Sequence, residues 1–197
     1  MLKTYPALTP ATLLPGTGIA DPVQDLPEKV SLDDPALSVM TDLERVSAVL
    51  IRPDDGIDEA NRRMIQRGVR LLLVVDGARA VGGLITANDI LGEKPMQFIT
   101  QRGGRRQDIV VRDIMTPQHQ LEVLDMHEVS HARVGHIVST LKESGRQHAL
   151  VADVDATGRR RVRGLFSLTQ IARQLGLTLE TSEVARTFSE IEASLTH

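Results

Sequence analysis

Thr86 and Asp89 stand three residues apart in the stretch VGGLITANDIL (81–91), where a short apolar strand (Leu84, Ile85) runs into a helix near Asn88. At that spacing both side chains lie on one side of the first helical turn, whose backbone N–H groups have no partner inside the helix. A hydroxyl, a carboxylate and free amides together suit a ribose and a phosphate. Helix capping favours the same residue types, so the segment alone does not separate a cap from a site.

A second set with chemical potential is His127-Glu128-Val129-Ser130-His131, which fits H-E-x-x-H. On one helix that pattern offers two imidazoles to zinc and a glutamate as general base, the outline of a zinc hydrolase. Three features oppose it. The repeat described below pairs 127–131 with 50–54, a strand-to-helix junction. Gly135 and His136 follow at the wrong spacing for an extended zinc motif, and no glutamate lies between Glu143 and Glu180 to act as third ligand. Other catalytic patterns are thin. There is no phosphate-binding P-loop and no nucleophile elbow. Gly16-Thr17-Gly18 lacks the preceding strand and third glycine of a dinucleotide loop.

The elements that would position these residues must be built mainly from aliphatic side chains. Of 197 residues, 41% are apolar and 25% charged, as in a globular domain, but only 2% are aromatic and none is Trp. Base stacking on single-stranded nucleic acid is therefore not expected, and the formal charge of −3 argues against a general nucleic-acid binder. With no Cys, disulfides and thiolate chemistry are excluded. No apolar run approaches the ~20 residues of a membrane span, and the start lacks the order of a signal peptide. A cytoplasmic location is the expectation.

From Val39 onward a pattern appears twice. Val39-Met40-Thr41 returns as Ile114-Met115-Thr116. A strand candidate at 48–51 precedes a helix whose apolar face is Ile57, Ala60 and Met64; Val134, Ile137 and Leu141 repeat that face 77 positions later, and Gly68 and Gly145 stop the two helices. Then comes an apolar strand, Val69–Val75, a turn at Asp76-Gly77, and a returning strand ending Gly83-Leu84-Ile85-Thr86, which Gly164-Leu165-Phe166-Ser167 matches at an offset of 81. The drift from 77 to 81 is assigned to a longer hairpin loop at 155–163, since insertions belong in exposed turns. Each copy is a strand–helix–strand–strand–helix unit too small to hold a comfortable core alone, so the two are expected to pack as one body.

The expected organisation is a proline-rich arm over 1–37, a first repeat over 38–98, a basic linker over 99–111, a second repeat over 112–177 and a C-terminal amphipathic helix over 178–197. In the arm, closely spaced prolines forbid a long helix. In the last segment Val184, Phe188, Ile191 and Leu195 share one helical face. Arg102, Arg105 and Arg106 of the linker are read as a solvated connector, with a phosphate contact as the alternative.

These motifs, in this order and doubled, resemble a tandem pair of cystathionine-β-synthase (CBS) domains, also called a Bateman module. The resemblance covers roughly 37–176 and implies an α/β (α+β) fold of two β-α-β-β-α units related by a pseudo-twofold, with a cleft on each side. It implies a non-enzymatic regulatory module that binds an adenosyl ligand (AMP, ADP, ATP or S-adenosylmethionine), forms a homodimer and acts on an effector protein. Carried over residue by residue, Thr86 and Ser167 would lie by the phosphate and Asp89 would take the ribose hydroxyls. Gln170 stands where the second copy should have that Asp. A carboxylate accepts from a vicinal diol through charge-assisted bonds; a neutral amide should bind at least about tenfold more weakly, from about 1.4 kcal/mol. The expectation is thus one better site on the first copy and one degenerate site. Leu50, Ile51 and Leu72, with the Met40-Thr41 entry, are candidates to hold the base, and Arg70 to reach phosphate or to pair with a surface carboxylate. A ligand-free dimerisation module is the alternative reading, the zinc hydrolase a more remote one.

Overall fold

The helical periodicity is realised in two matched helices. In the computed structural model, which describes residues 24–177, α1 (Ile57–Arg67) buries Ile57, Ala60 and Met64. Its later counterpart (Val134–Ser144) buries Val134, Ile137 and Leu141. Each ends at a glycine with φ 63°, Gly68 and Gly145. The following residue then donates its N–H back into the last turn, Val69 to Met64 O at 3.0 Å and Arg146 to Leu141 O at 3.1 Å. Glycine takes that left-handed conformation without steric cost, and the motif satisfies carbonyls the helix end leaves free.

Two four-stranded sheets carry these helices. The first copy supplies β1 (Thr41–Asp42), β2 (Leu50–Ile51), β3 (Leu71–Val75) and β4 (Val81–Thr86). The second supplies β5 (Thr116–Pro117), β6 (Val123–Asp125), β7 (His148–Val154) and β8 (Arg160–Ser167). β2 is parallel to β3, which is antiparallel to β4; β6, β7 and β8 repeat that arrangement. The outermost strand of each sheet is exchanged. β5 pairs with β4, and β1 pairs with β8. Gly83 and Gly164 permit this approach: a Cβ there would stand 2.6 Å from Thr116 O and 2.8 Å from Thr41 O. The repeats are therefore not self-contained, because each borrows its edge strand from the other.

The four extra residues of the second hairpin do not lengthen its loop, which corrects the expectation. Asp76 N–H donates to Ala80 O and Asp155 N–H to Arg159 O, so the turns have equal length. β7 has seven residues against five in β3, and β8 eight against six in β4. The hairpin grows by two residues on each strand, which keeps side-chain facing intact because the strand period is two.

Three apolar clusters result. One holds α1, β3 and the first-copy helix α2 (Ala87–Leu91), with Ile109, Val111 and Ile114 packed among them. The stretch 99–111 thus begins inside α3 (Lys94–Arg102) and ends in the core at Val111, the first residue of α4 (Val111–Ile114). The second cluster holds α5 (Met126–His131), α6 (Val134–Ser144) and α7 (Leu168–Gln174), together with Ala36 and Val39. Residues from 24 on in the arm lie against this second copy: Gln174 donates to Pro27 O at 2.7 Å and Val30 N–H to Gln174 O. The third cluster, Leu71, Leu73 and Leu150 with Leu50, Leu84 and Leu165, joins the two sheets face to face. The earlier part of the arm and the expected helix over 178–197 lie outside the described residues.

Candidate functional site

The exchange places two unequal clefts between the copies. The smaller, about 390 Å³, is lined by Thr86, Asn88, Asp89, Thr116, Gln147 and His148, among others. Asp89 faces this cleft, but its oxygens already have partners. Oδ2 accepts from Thr86 N–H at 2.7 Å and from Thr86 Oγ1 at 2.8 Å; Oδ1 is 2.6 Å from Lys94 Nζ. Thr86 Oγ1 in turn accepts from Asp89 N–H, closing a capping box on α2. A carboxylate has about four acceptor positions; three are used. At the rim Glu122 pairs with Arg146 at 3.3 Å.

The larger cleft, about 1000 Å³, is built on Ser167 and Gln170 at the start of α7 and on Thr41 of the exchanged strand. Leu43, Val46, Ala48, Leu71, Leu73 and Leu165 give it apolar walls. Arg67, Arg70 and Arg173 line it as well, and no carboxylate does among the described residues. No carboxylate of the described residues pairs with these three guanidiniums; Arg70 only donates to Asn88 Oδ1 at a long 3.4 Å. Gln170 is held in a chain, accepting from Thr41 Oγ1 at 3.4 Å and donating to Gln174 Oε1 at 3.3 Å. An apolar slot ringed by hydroxyls and unpaired guanidiniums suits a planar apolar group carrying an anion.

The sequence-predicted residues therefore separate. Thr86 and Asp89 share the smaller cleft, whereas Thr41, Arg70 and Ser167 share the larger one. Met40, Ile51 and Leu72 are core residues at 2% exposure or less and line neither cleft; Leu50 belongs to the inter-sheet cluster. The greater volume, and the arginines without a described carboxylate partner, lie with Gln170 rather than with Asp89. Sequence reading passed over Arg67 and Arg173, although Arg173 stands one helical turn beyond Gln170 and so shares its side of α7.

His148 lies partly buried at the start of β7 and lines both clefts. Burial, then the charge of Arg70, lower its pKa to about 4, with Asp89 opposing. In the unfolded chain the imidazole takes a proton near the ordinary value of 6.5, while the folded one stays neutral until about pH 4. Between those values the unfolded state binds more protons, so stability falls as pH drops from 6.5 to 4. Urea unfolding at stepped pH should show this loss, and His148→Leu should flatten it in that window.

The H-E-x-x-H residues lie on one continuous helix, α5, contrary to expectation. The register explains why. Val123 faces Leu150 as Leu50 faces Leu73, so the second copy's strand ends earlier and the residues after it form an additional helical turn. Asp125 caps it by accepting from His127 N–H at 2.8 Å. His131 Nδ1 lies 2.8 Å from His127 O. Among the described residues no group of three His, Asp or Glu could hold a metal ion. Arg105 pairs with Asp108 and Arg106 with Asp58, and none of the three linker arginines lines either cleft. No helix of the described residues is long and apolar enough to cross a membrane.

Residues 30–95 match the family model of the CBS domain. That stretch is a CBS domain. Solved structures extend the likeness over both copies. A conserved uncharacterised protein of Pyrococcus horikoshii superposes with a TM-score of 0.54 at 23% identity, covering 78% of this chain and all of that one. A CBS-domain protein of Agrobacterium tumefaciens gives 0.50 at 18%, covering 67% and 88%. The CBS-pair protein CBSX2 of Arabidopsis thaliana gives 0.47 at 20%, covering 71% and 92%, and CBSX2 has a structure in complex with AMP. No curated protein matches the chain in sequence. The first two share the fold of this chain, and the exchanged edge strands and repeated glycine caps are its local basis here.

Proposed function

We propose that this CBS pair is a non-enzymatic regulatory module that binds a phosphorylated adenosine ligand in the larger cleft. The observation that carries the reading is the convergence of Arg67, Arg70 and Arg173, with no carboxylate among the described lining residues, on a largely apolar cavity of about 1000 Å³. The aliphatic walls would take the base and the guanidiniums the phosphates. The three cations favour ATP and ADP over AMP, and AMP over adenosine. They disfavour S-adenosylmethionine, whose sulfonium adds positive charge. Binding would bias the relation between copies, and so contact with an effector protein, by the difference in ligand affinity between the two arrangements. A homodimer and a cytoplasmic location belong to the same proposal.

A ligand that binds only the folded state raises its melting temperature. Thermal shifts with adenosine, AMP, ADP, ATP and S-adenosylmethionine should rank in the order given. Arg70→Ala should weaken ATP by about tenfold or more, because a hydrogen bond to a charged group contributes about 1.5–3 kcal/mol. A panel without any shift would leave the ligand-free dimerisation module as the better reading.

A further inference from the structure

His148 alone among the described residues lines both clefts. The first copy has Leu71 at the matching position, 77 residues earlier, so the imidazole breaks the symmetry of the pair at their common wall. Its register partner on β8 is the uncharged Ser167, and neither ring nitrogen makes a hydrogen bond to another described residue. A partly buried imidazole without a partner, set in a cavity wall, is free to respond to what enters the cavity.

The charges around it are unevenly distributed. From the larger cleft come Arg70 at the entry to β3, Arg67 at the end of α1 and Arg173 on α7, all positive. From the smaller cleft come Asp89 of α2, tied to Lys94 of α3, and the Glu122–Arg146 pair. Burial first, and then the charge of Arg70, keep His148 neutral. A phosphate held by the cleft's guanidiniums would offset the Arg70 repulsion and add an attractive charge beside the ring.

We propose that His148 is a ligand-contacting residue and that filling the larger cleft with a phosphate-bearing ligand draws a proton onto its imidazole, so that affinity rises as the solution becomes more acidic. This rests on the anion reading of that cleft. Linkage makes the effect reciprocal: whatever proton the bound state holds in excess sets the slope of affinity against pH. One site can contribute at most about tenfold per pH unit, the limit for a single proton.

Calorimetric titration with ATP at pH 5 to 8, in buffers of different ionisation heat, counts the protons taken up. ATP has its own titration near pH 6 to 7, so the comparison is with His148→Leu, which restores the side chain of the other copy, and with His148→Gln, which stays polar but does not titrate. The expected result is greater proton uptake by the wild type below about pH 6 and an affinity gain from pH 7 to 5 some fivefold or more above that of either variant. If Leu does not fold, Gln alone decides. Binding retained with equal proton uptake in wild type and variant overturns this inference and leaves the anion site standing. No binding of ATP at any pH overturns both.

Discussion

Arg163→Met is expected to cost the fold about 3–5 kcal/mol, the range for removing one partner of a buried ion pair. Arg163 sits on β8 with its side chain 13% exposed, and it donates to Asp42 of the exchanged strand β1. It also lies 2.8 Å from Glu44 and 3.5 Å from Asp153. Burial pushes the Asp42 carboxyl up, but the Arg163 hydrogen bond, the Glu44 N–H and the charges of Arg163 and Arg45 outweigh it and hold the carboxyl below its ordinary range. Met keeps most of the stem's packing while leaving Asp42, only 8% exposed, with the exposed Arg45 at 3.6 Å as its remaining cation. Against a total of about 5–15 kcal/mol for a typical domain, the loss should appear as a large drop in the urea midpoint. The ion pair's contribution is present above the unfolded carboxylate value and is lost as pH falls through the lower folded one. The variant should therefore lack that final acid loss. Arg112→Met is the control, because its pair with Asp54 is exposed on both sides; its expected cost is about 0–1 kcal/mol. Arg163→Met within about 1 kcal/mol of wild type would show that β1 does not depend on the pair.

Gly83→Ala should destabilise by about 1–3 kcal/mol, the usual penalty of overpacking, although alanine is otherwise better than glycine in a strand. The added Cβ would meet Thr116 O at 2.6 Å and Met115 Sδ at 3.0 Å. The sulfur can move, but the oxygen belongs to the backbone of β5, which pairs with β4 at that point. Something must shift, and the two-residue edge strand has the fewest bonds to hold it. The adjacent Gly82→Ala is the matched test, since its Cβ would meet only Val74 O at 3.9 Å; it should stay within about 0.5 kcal/mol. Hydrogen exchange at Thr116 and nearby amides would place the damage: accelerated exchange in Gly83→Ala alone supports the strand-exchange account, and equal stability of the two variants refutes it.

What the sequence determined by itself is whatever local geometry dictates. The helix faces at Ile57, Ala60 and Met64, their repetition at Val134, Ile137 and Leu141, and the stops at Gly68 and Gly145 follow from a 3.6-residue period and a left-handed cap. The duplication followed because those local features recur in order. That Thr86 and Asp89 share a helical turn was also legible, since spacing alone fixes it.

Tertiary structure alone decided which partners these residues meet. A two-residue strand has no periodicity to announce its neighbour, so the pairing of β1 with β8 and β5 with β4 could not be read, and only Gly83 and Gly164 hinted at a close approach. Exchange then made each cleft from both copies. It separated Thr41, Arg70 and Ser167 from Asp89 and brought Arg67 and Arg70 of one repeat to Arg173 of the other. Lys94 reached Asp89 because α3 turns back after Gly92, which a spacing of five residues does not reveal. Spacing along a chain fixes what lies on one face of an element. The electrostatics of a cavity depend on distances between elements far apart in sequence, and packing alone sets those.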